Sequence, residues 1–289
     1  MFVPVWLCWL ACFLLPDRVL QQQIPLWVWV VFVLGIDVGH VWSTIFRTYL
    51  DTNEFRRYKK LLLGVPLLAF PLLFGLALWS EFWFWRLLAY LALFHFVKQQ
   101  YGFLAIYRGR GKDFLKGKLF NDKLVIYFSM LYPVLYWHLG SDRQFNWFVP
   151  GDFLTLALAG DGAAWLLQVV RAYLLPAGNV FYGLVMAGWL AEEWWRHRGQ
   201  RLPLVWPKVL WLLTTAGNWY LGIVWFNSDL AFTLTNVVAH GIPYVALVYF
   251  YKTRKQQRTK ARAMRPAGLQ LLVMLLAILL LAFGEEYLW

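Results

Sequence analysis

Gly35-Ile-Asp-Val-Gly-His40-Val-Trp-Ser-Thr-Ile-Phe-Arg47 lies inside a run that is otherwise apolar from Ile24 to Leu50. As a helix rising about 1.5 Å per residue, that run is long enough to cross the roughly 30 Å hydrocarbon core of a bilayer. An ionisable side chain in such a span is costly, so it faces a protein interior and serves a function. Asp37 and His40 are one turn apart. Ser43, Thr44 and Arg47 continue the same helix side at spacings of three and four.

The rest of the chain has the same character. Of its 289 residues, 61% are hydrophobic and 15% charged, whereas a soluble domain is about half apolar and about a quarter charged. The composition therefore implies an all-α, polytopic integral membrane bundle. A single transmembrane domain is expected over residues 1–289, with about nine spans. The apolar runs are Phe2 to Leu15, Ile24 to Leu50, Leu61 to Trp79, Phe82 to Tyr107 and Leu124 to Leu139, then Gly178 to Trp195, Val205 to Phe226, Leu230 to Tyr251 and Leu269 to Phe283. Pro66 and Pro71 are expected to bend the third span. Residues 140–163 read as a loop, and 164–175 either lie in the interface or begin the sixth span. The first run lacks a basic leader and an Ala-x-Ala site, so it reads as a short span rather than a cleaved signal. Cys8 and Cys12 match neither a CxxC nor a zinc pattern and read as small apolar residues.

A net charge of +12 invites a nucleic-acid reading, but its distribution argues against one. Four segments hold 22 of the 27 basic residues: 47–60, 108–123, 196–208 and 252–265. With nine spans all four fall on one side, and the positive-inside rule makes that side and the N-terminus cytoplasmic. The intervening loops carry Glu81, Asp142, Asp152, Asp161 and Asp229, and Glu285-Glu286 falls outside. The expected location is the inner (plasma) membrane, multi-pass. The basic loops serve as topology signals that also touch anionic lipid, with no nucleic-acid partner.

The second, fourth and eighth spans run in the same direction, and each carries one central histidine. His40 lies ten residues before Leu50, His95 twelve before Tyr107 and His240 eleven before Tyr251. Their depths differ by only about 3 Å. Neutral imidazole is the commonest biological metal ligand, so three at one depth on three helices make a candidate metal site. Asp37 and Asn236 lie one turn outward of His40 and His240, and Lys98 and Gln99 follow His95. Asp37 reads as a fourth ligand, an orienting carboxylate or an ion-pair partner of Lys98. Gln99 and Asn236 read as supporting contacts, and Tyr101 and Tyr244 as proton donors or pocket walls. His138 and His197 lie outside the layer and are expected to be ordinary interfacial residues. The ligand set admits iron, zinc, manganese or copper. It suits oxygen chemistry on iron and equally a zinc-bound hydroxide.

Leu93-Phe94-His95-Phe96, Gly39-His40 and Asn236-Val-Val-Ala-His240 together resemble the bacterial and archaeal membrane β-carotene 15,15′-dioxygenases. The likeness runs over roughly residues 30–250. It implies a polytopic enzyme in which histidines from several helices hold non-haem iron. Two features depart from the family. Its last motif is similar to a histidine pair at i, i+4, where this chain has Asn236 first, and its acidic residues follow the early histidines, where Asp37 precedes His40.

The expected function is therefore a membrane metalloenzyme, a non-haem iron oxygenase drawing a hydrophobic, lipid-like or isoprenoid substrate from the bilayer. Two other readings stay open. One is a proton-coupled transporter with an Asp37, His40, Lys98 and His240 relay, which the absence of a visible internal repeat disfavours. The other is a haem protein with two axial histidines.

Overall fold

The computed structural model describes residues 2–113, 118–140, 145–146, 153, 161–258 and 266–288. Among these residues the regular structure is helical throughout. The elements are α1 (Phe2–Leu14), α2 (Leu26–Phe46), α3 (Thr52–Trp79), α4 (Glu81–Arg110) and α5 (Asp122–Leu139), followed by α6 (Ala164–Gly199), α7 (Trp206–Trp219, continued by a wide π turn at Tyr220–Trp225), α8 (Asp229–Gln257) and α9 (Gly268–Leu288). A single turn, Asp17–Leu20, follows α1. Each apolar run named above falls on one of these helices. The interface segment 164–175 continues into the sixth helix without a break. Most of the 140–163 loop lies outside the described residues, as do Lys116, Asp142, Asp152, Lys260, Arg262 and Arg265.

Five helices are long and apolar enough to cross a membrane: α2, α3, α6, α8 and α9. The others are shorter or more charged. Within α4, for example, stand Glu81, Arg86, Lys98, Arg108 and Arg110. Local chemistry sets several helix starts. Asp51 accepts hydrogen bonds from the Asn53 and Glu54 amides at 3.1 and 3.2 Å and caps α3. Asn121 caps α5 through the Lys123 amide, and Ser228 caps α8 through that of Ala231. In α3 the non-helical dihedrals fall at Tyr58, and Pro66 and Pro71 stay within the helix. The break comes where the basic first turns give way to the apolar run. A proline in a membrane helix needs only local adjustment to re-satisfy the freed carbonyl.

The chain divides into two compact units. The first comprises residues 24–85 and 237–289, and the second residues 2–23 and 86–236. In the first, α2, α8 and α9 pack around Val248, Met274 and Ile278, with Phe46, Tyr244 and Tyr249 against them. α3 belongs to this unit yet buries none of its side chains. In the second, Tyr132, Tyr182 and Ala216 form a cluster with Phe128, Tyr136 and Tyr220. There the indoles of Trp6 and Trp9 donate to Thr214 Oγ1 at 3.1 Å and Asn218 Oδ1 at 2.6 Å, fixing α1 on α7. Gly217 permits that approach, since a Cβ there would lie 2.6 Å from the Trp9 ring.

Candidate functional site

The opening stretch is not a uniform helix. Trp29–Val38 is a π-helix, and α-helical geometry resumes at Gly39–Ser43. A second π segment, Thr233–Val237, precedes the α-helical turn that carries His240. Such wide turns are uncommon and concentrate at functional sites. Here each ends just before a histidine.

In the first unit His40 and His240 come together. Both are buried, at 2% and 0% exposure. Their ring centroids are 4.4 Å apart with the planes at 84°, an edge-to-face pair. The Tyr244 ring lies 5.9 Å from that of His40, and its hydroxyl is 3.5 Å from Thr44 Oγ1. Asp37 Oδ1 stands 3.5 Å from His40 Nδ1, longer than a good hydrogen bond but in direct contact. Ser43 donates to the His40 carbonyl at 2.6 Å, tying the turn that holds the ring.

Glycine makes the pairing possible. At Gly241 a Cβ would sit 2.6 Å from Ile36 Cγ2 and 2.8 Å from the Ile36 carbonyl oxygen. At Gly39 it would sit 3.1 Å from Ile278 Cγ2. One glycine lies beside each histidine, letting α8 and α9 close on α2 at the level of the rings. Sequence reasoning used Gly39 only for its resemblance and passed over Gly241. The signal was present as Gly39-His40 and His240-Gly241.

The remaining candidates belong to the second unit. His95 is exposed on α4, its ring 6.4 Å from that of Phe96. Lys98 is exposed, with its ammonium 5.9 Å from the Phe94 ring. Gln99 is half-buried on the same helix. The Tyr101 ring lies 5.4 Å from that of Tyr127, tilted by 31°, beneath the Lys123 ammonium. Asn236 is buried, and its amide donates to the Asn218 carbonyl at 3.2 Å. Asn218, Thr214 and Thr215 act as links between helices, Thr215 donating to Gln100 Oε1 at 3.1 Å.

His138 and His197 stand in a different setting. Since a carbonyl can only accept, His138 Nδ1 donates to Val134 at 2.7 Å, leaving Nε2 to accept from the Tyr90 hydroxyl at 2.8 Å. His197 Nδ1 likewise donates to the Leu202 carbonyl at 2.9 Å. Both imidazoles are used to fix local structure.

A second constellation was not foreseen. Lys208 is fully buried in the second unit. Its ammonium lies 2.6 Å from both Asp113 and Glu193. Lys118 reaches Glu193 at 2.7 Å and Asp113 and Asp122 at 3.2 Å. Arg108 reaches Asp122 at 3.1 Å, and the Trp189 indole donates to the same carboxylate at 2.9 Å. The oxygens of Asp113, Asp122 and Glu193 are near enough together to hold an ion, but the two lysine ammoniums already lie among them. Three carboxylates against Lys118, Lys208 and Arg108 make a self-neutralised network. Burial opposes ionisation of Asp113, but the bonds and charges of Lys208 and Lys118 outweigh it and hold the carboxyl below its ordinary value. Burial likewise works against a charged Lys118, yet Glu193 and Asp122 raise its ammonium above the usual lysine range. The sequence reading took the basic segments at 108–123 and 196–208 for topology signals. Lys118 and Lys208 within them are drawn into a buried network, because Asp113, Asp122 and Glu193 converge on them.

No protein-family model matches the chain, and neither a curated protein nor a solved structure does.

Proposed function

We propose that the chain is a nine-span enzyme of the inner (plasma) membrane, with a cytoplasmic N-terminus, that holds a divalent metal through His40 and His240. The observation that carries this reading is the buried pair of imidazoles at 4.4 Å with the Asp37 carboxylate against one of them. Two neutral imidazoles in edge-to-face contact can turn their nitrogens onto one ion. Asp37 at Nδ1 favours the tautomer that leaves Nε2 of His40 for the metal, the usual part of a carboxylate behind a ligand histidine. His95 is assigned as the third ligand on its depth in the sequence.

Three histidines leave open positions on a metal, and the resemblance to membrane carotene dioxygenases points to iron and an oxygenase. Bound iron would supply dioxygen activation. The protein's share is to keep the site dry, hold the imidazoles neutral and present a hydrophobic substrate from the bilayer. Tyr244 bounds the site beside His40. A transport relay would use Asp37, His40 and His240 together with Lys98, but Lys98 is exposed, with its ammonium over the Phe94 ring.

The test is metal analysis and a visible spectrum on protein purified in detergent without chelators. Near-stoichiometric iron without a Soret band is expected, with loss of iron in His40→Ala and His240→Ala. Absence of any bound metal, together with unchanged ligand-dependent activity in His95→Ala, would overturn the reading. A Soret band would replace it with a haem protein.

A further inference from the structure

Two cavities in the first unit lie along one helix. The apolar one, about 420 Å³, is walled by Ile36, Val245, Tyr249, Leu271, Leu275 and Ile278. The polar one, about 350 Å³, is formed by Phe46, Asp51, Asn53, Lys252, Lys255 and Gln256. Val245, Tyr249, Lys252 and Gln256 follow one another at spacings of four, three and four, so they lie on a single stripe of α8. The apolar cleft and the polar pocket therefore lie one after the other on the same helix face. Phe46 lines the polar pocket and, like Val245 and Tyr249, packs against the core of Val248, Met274 and Ile278.

Charge bookkeeping in the polar pocket leaves one cation over. Asp51 is neutralised by Lys255, with which it forms a short ion pair. Although burial opposes it, Lys255 and the amides of Glu54 and Asn53 hold the Asp51 carboxyl below its ordinary value, so it stays ionised. Lys252 has no carboxylate partner among the described residues, and its ammonium rests 4.6 Å from the centre of the Phe46 ring. The lining side chains thus sum to one positive charge, and just beyond them Glu54, which acts on Lys255, is offset by Arg47 against the Tyr251 ring. From Lys252 back to Ile242 the helix rises about 15 Å, half of the roughly 30 Å hydrocarbon core.

We propose that this cleft seats an anionic phospholipid, its phosphodiester beside Lys252 and Lys255 and one acyl chain along the Val245–Tyr249 stripe against α9. The single surplus charge matches a phosphodiester, and the length matches one leaflet's chain. The site uses none of the proposed metal ligands, although Ile36 and Ile278, which pack on the glycines beside His240 and His40, also wall its apolar end.

Native mass spectrometry of the full chain, released from detergent with added phosphatidylglycerol or phosphatidylcholine, tests this. Phosphatidylglycerol should be retained in preference. Lys252→Gln should weaken that retention about fivefold, the worth of one lysine near an anionic lipid, and Lys252→Arg should restore it. Ala246 also lines the apolar cleft, so Ala246→Phe, which fills it, should lower retention too, and inorganic phosphate should not compete. Melting midpoints in detergent confirm that the variants are folded. Equal retention of the two lipids overturns the proposal, as does displacement by inorganic phosphate or undiminished phosphatidylglycerol binding in folded Lys252→Gln. His40→Ala should leave lipid retention unchanged while removing metal, so the two readings fail separately.

Discussion

The pairing of His40 with His240 depends on two residues that have no side chain. A methyl group at Gly241 would press on both the side chain and the carbonyl of Ile36. Neither can yield without moving backbone, so Gly241→Ala is expected to destabilise the first unit by about 1–3 kcal/mol, the range for overpacking. Because His240 is the preceding residue, the same change should reduce bound metal. Gly64→Ala is the control: nothing lies within 4 Å of a Cβ there, and alanine is the better helix former. Its melting midpoint should stay the same or rise, with metal content unchanged. A Gly241→Ala protein with wild-type melting and metal content would show that the close approach is not needed. The histidines themselves were legible in the sequence, because depth along an apolar run is a matter of counting. The glycines were not, since the need for a bare Cα appears only when the opposing helix is known.

At the scale of elements, the buried network of Asp113, Asp122, Glu193, Lys118 and Lys208 joins the ends of α4, α5, α6 and α7. Lys208→Met removes a cation from among carboxylates that stay buried, and leaving such charges uncompensated costs about 3–5 kcal/mol. The pH dependence follows from the two shifts. Asp113 is held below its ordinary value. Its contribution is therefore full above the unfolded value near 3.9 and is lost as pH falls through the lower folded one. Lys118 is raised, so its contribution is full below about 10.4 and lost as pH climbs through the folded value. Melting in detergent should thus be flat across neutral pH and fall at both extremes. In Lys208→Met the acid limb should begin at a higher pH, because Asp113 loses the nearer of its two ammonium partners. An acid limb unmoved by that substitution would show that Lys208 does not set the Asp113 ionisation. None of this was readable from composition. Basic residues beside membrane spans are usually solvated, and Glu193 and Lys208 lie far in sequence from Asp113, Lys118 and Asp122. The existence and order of the helices were readable, by contrast, because a long apolar run has no alternative to a helix in lipid.

At the scale of the whole molecule, five helices satisfy length and apolarity. Counting only those five would leave α1, α4, α5 and α7 without a membrane role, although His95 lies on α4. The charge pattern argues for nine. With that number the basic segments at 47–60, 108–123, 196–208 and 252–265 share a side, and the acidic Glu81 and Glu286 face the other. The prediction is specific because each additional span reverses every position after it. In a background with Cys8 and Cys12 replaced by alanine, single cysteines can be placed at Arg57, Arg110, Arg198 and Arg254, and separately at Glu81 and Glu286. An impermeant thiol reagent applied to intact cells should label only the cysteines at Glu81 and Glu286. The other four should react only after the membrane is opened. Labelling of Arg110→Cys from outside would place α4 differently, take His95 out of register with His40 and His240, and remove the third ligand from the proposed metal centre.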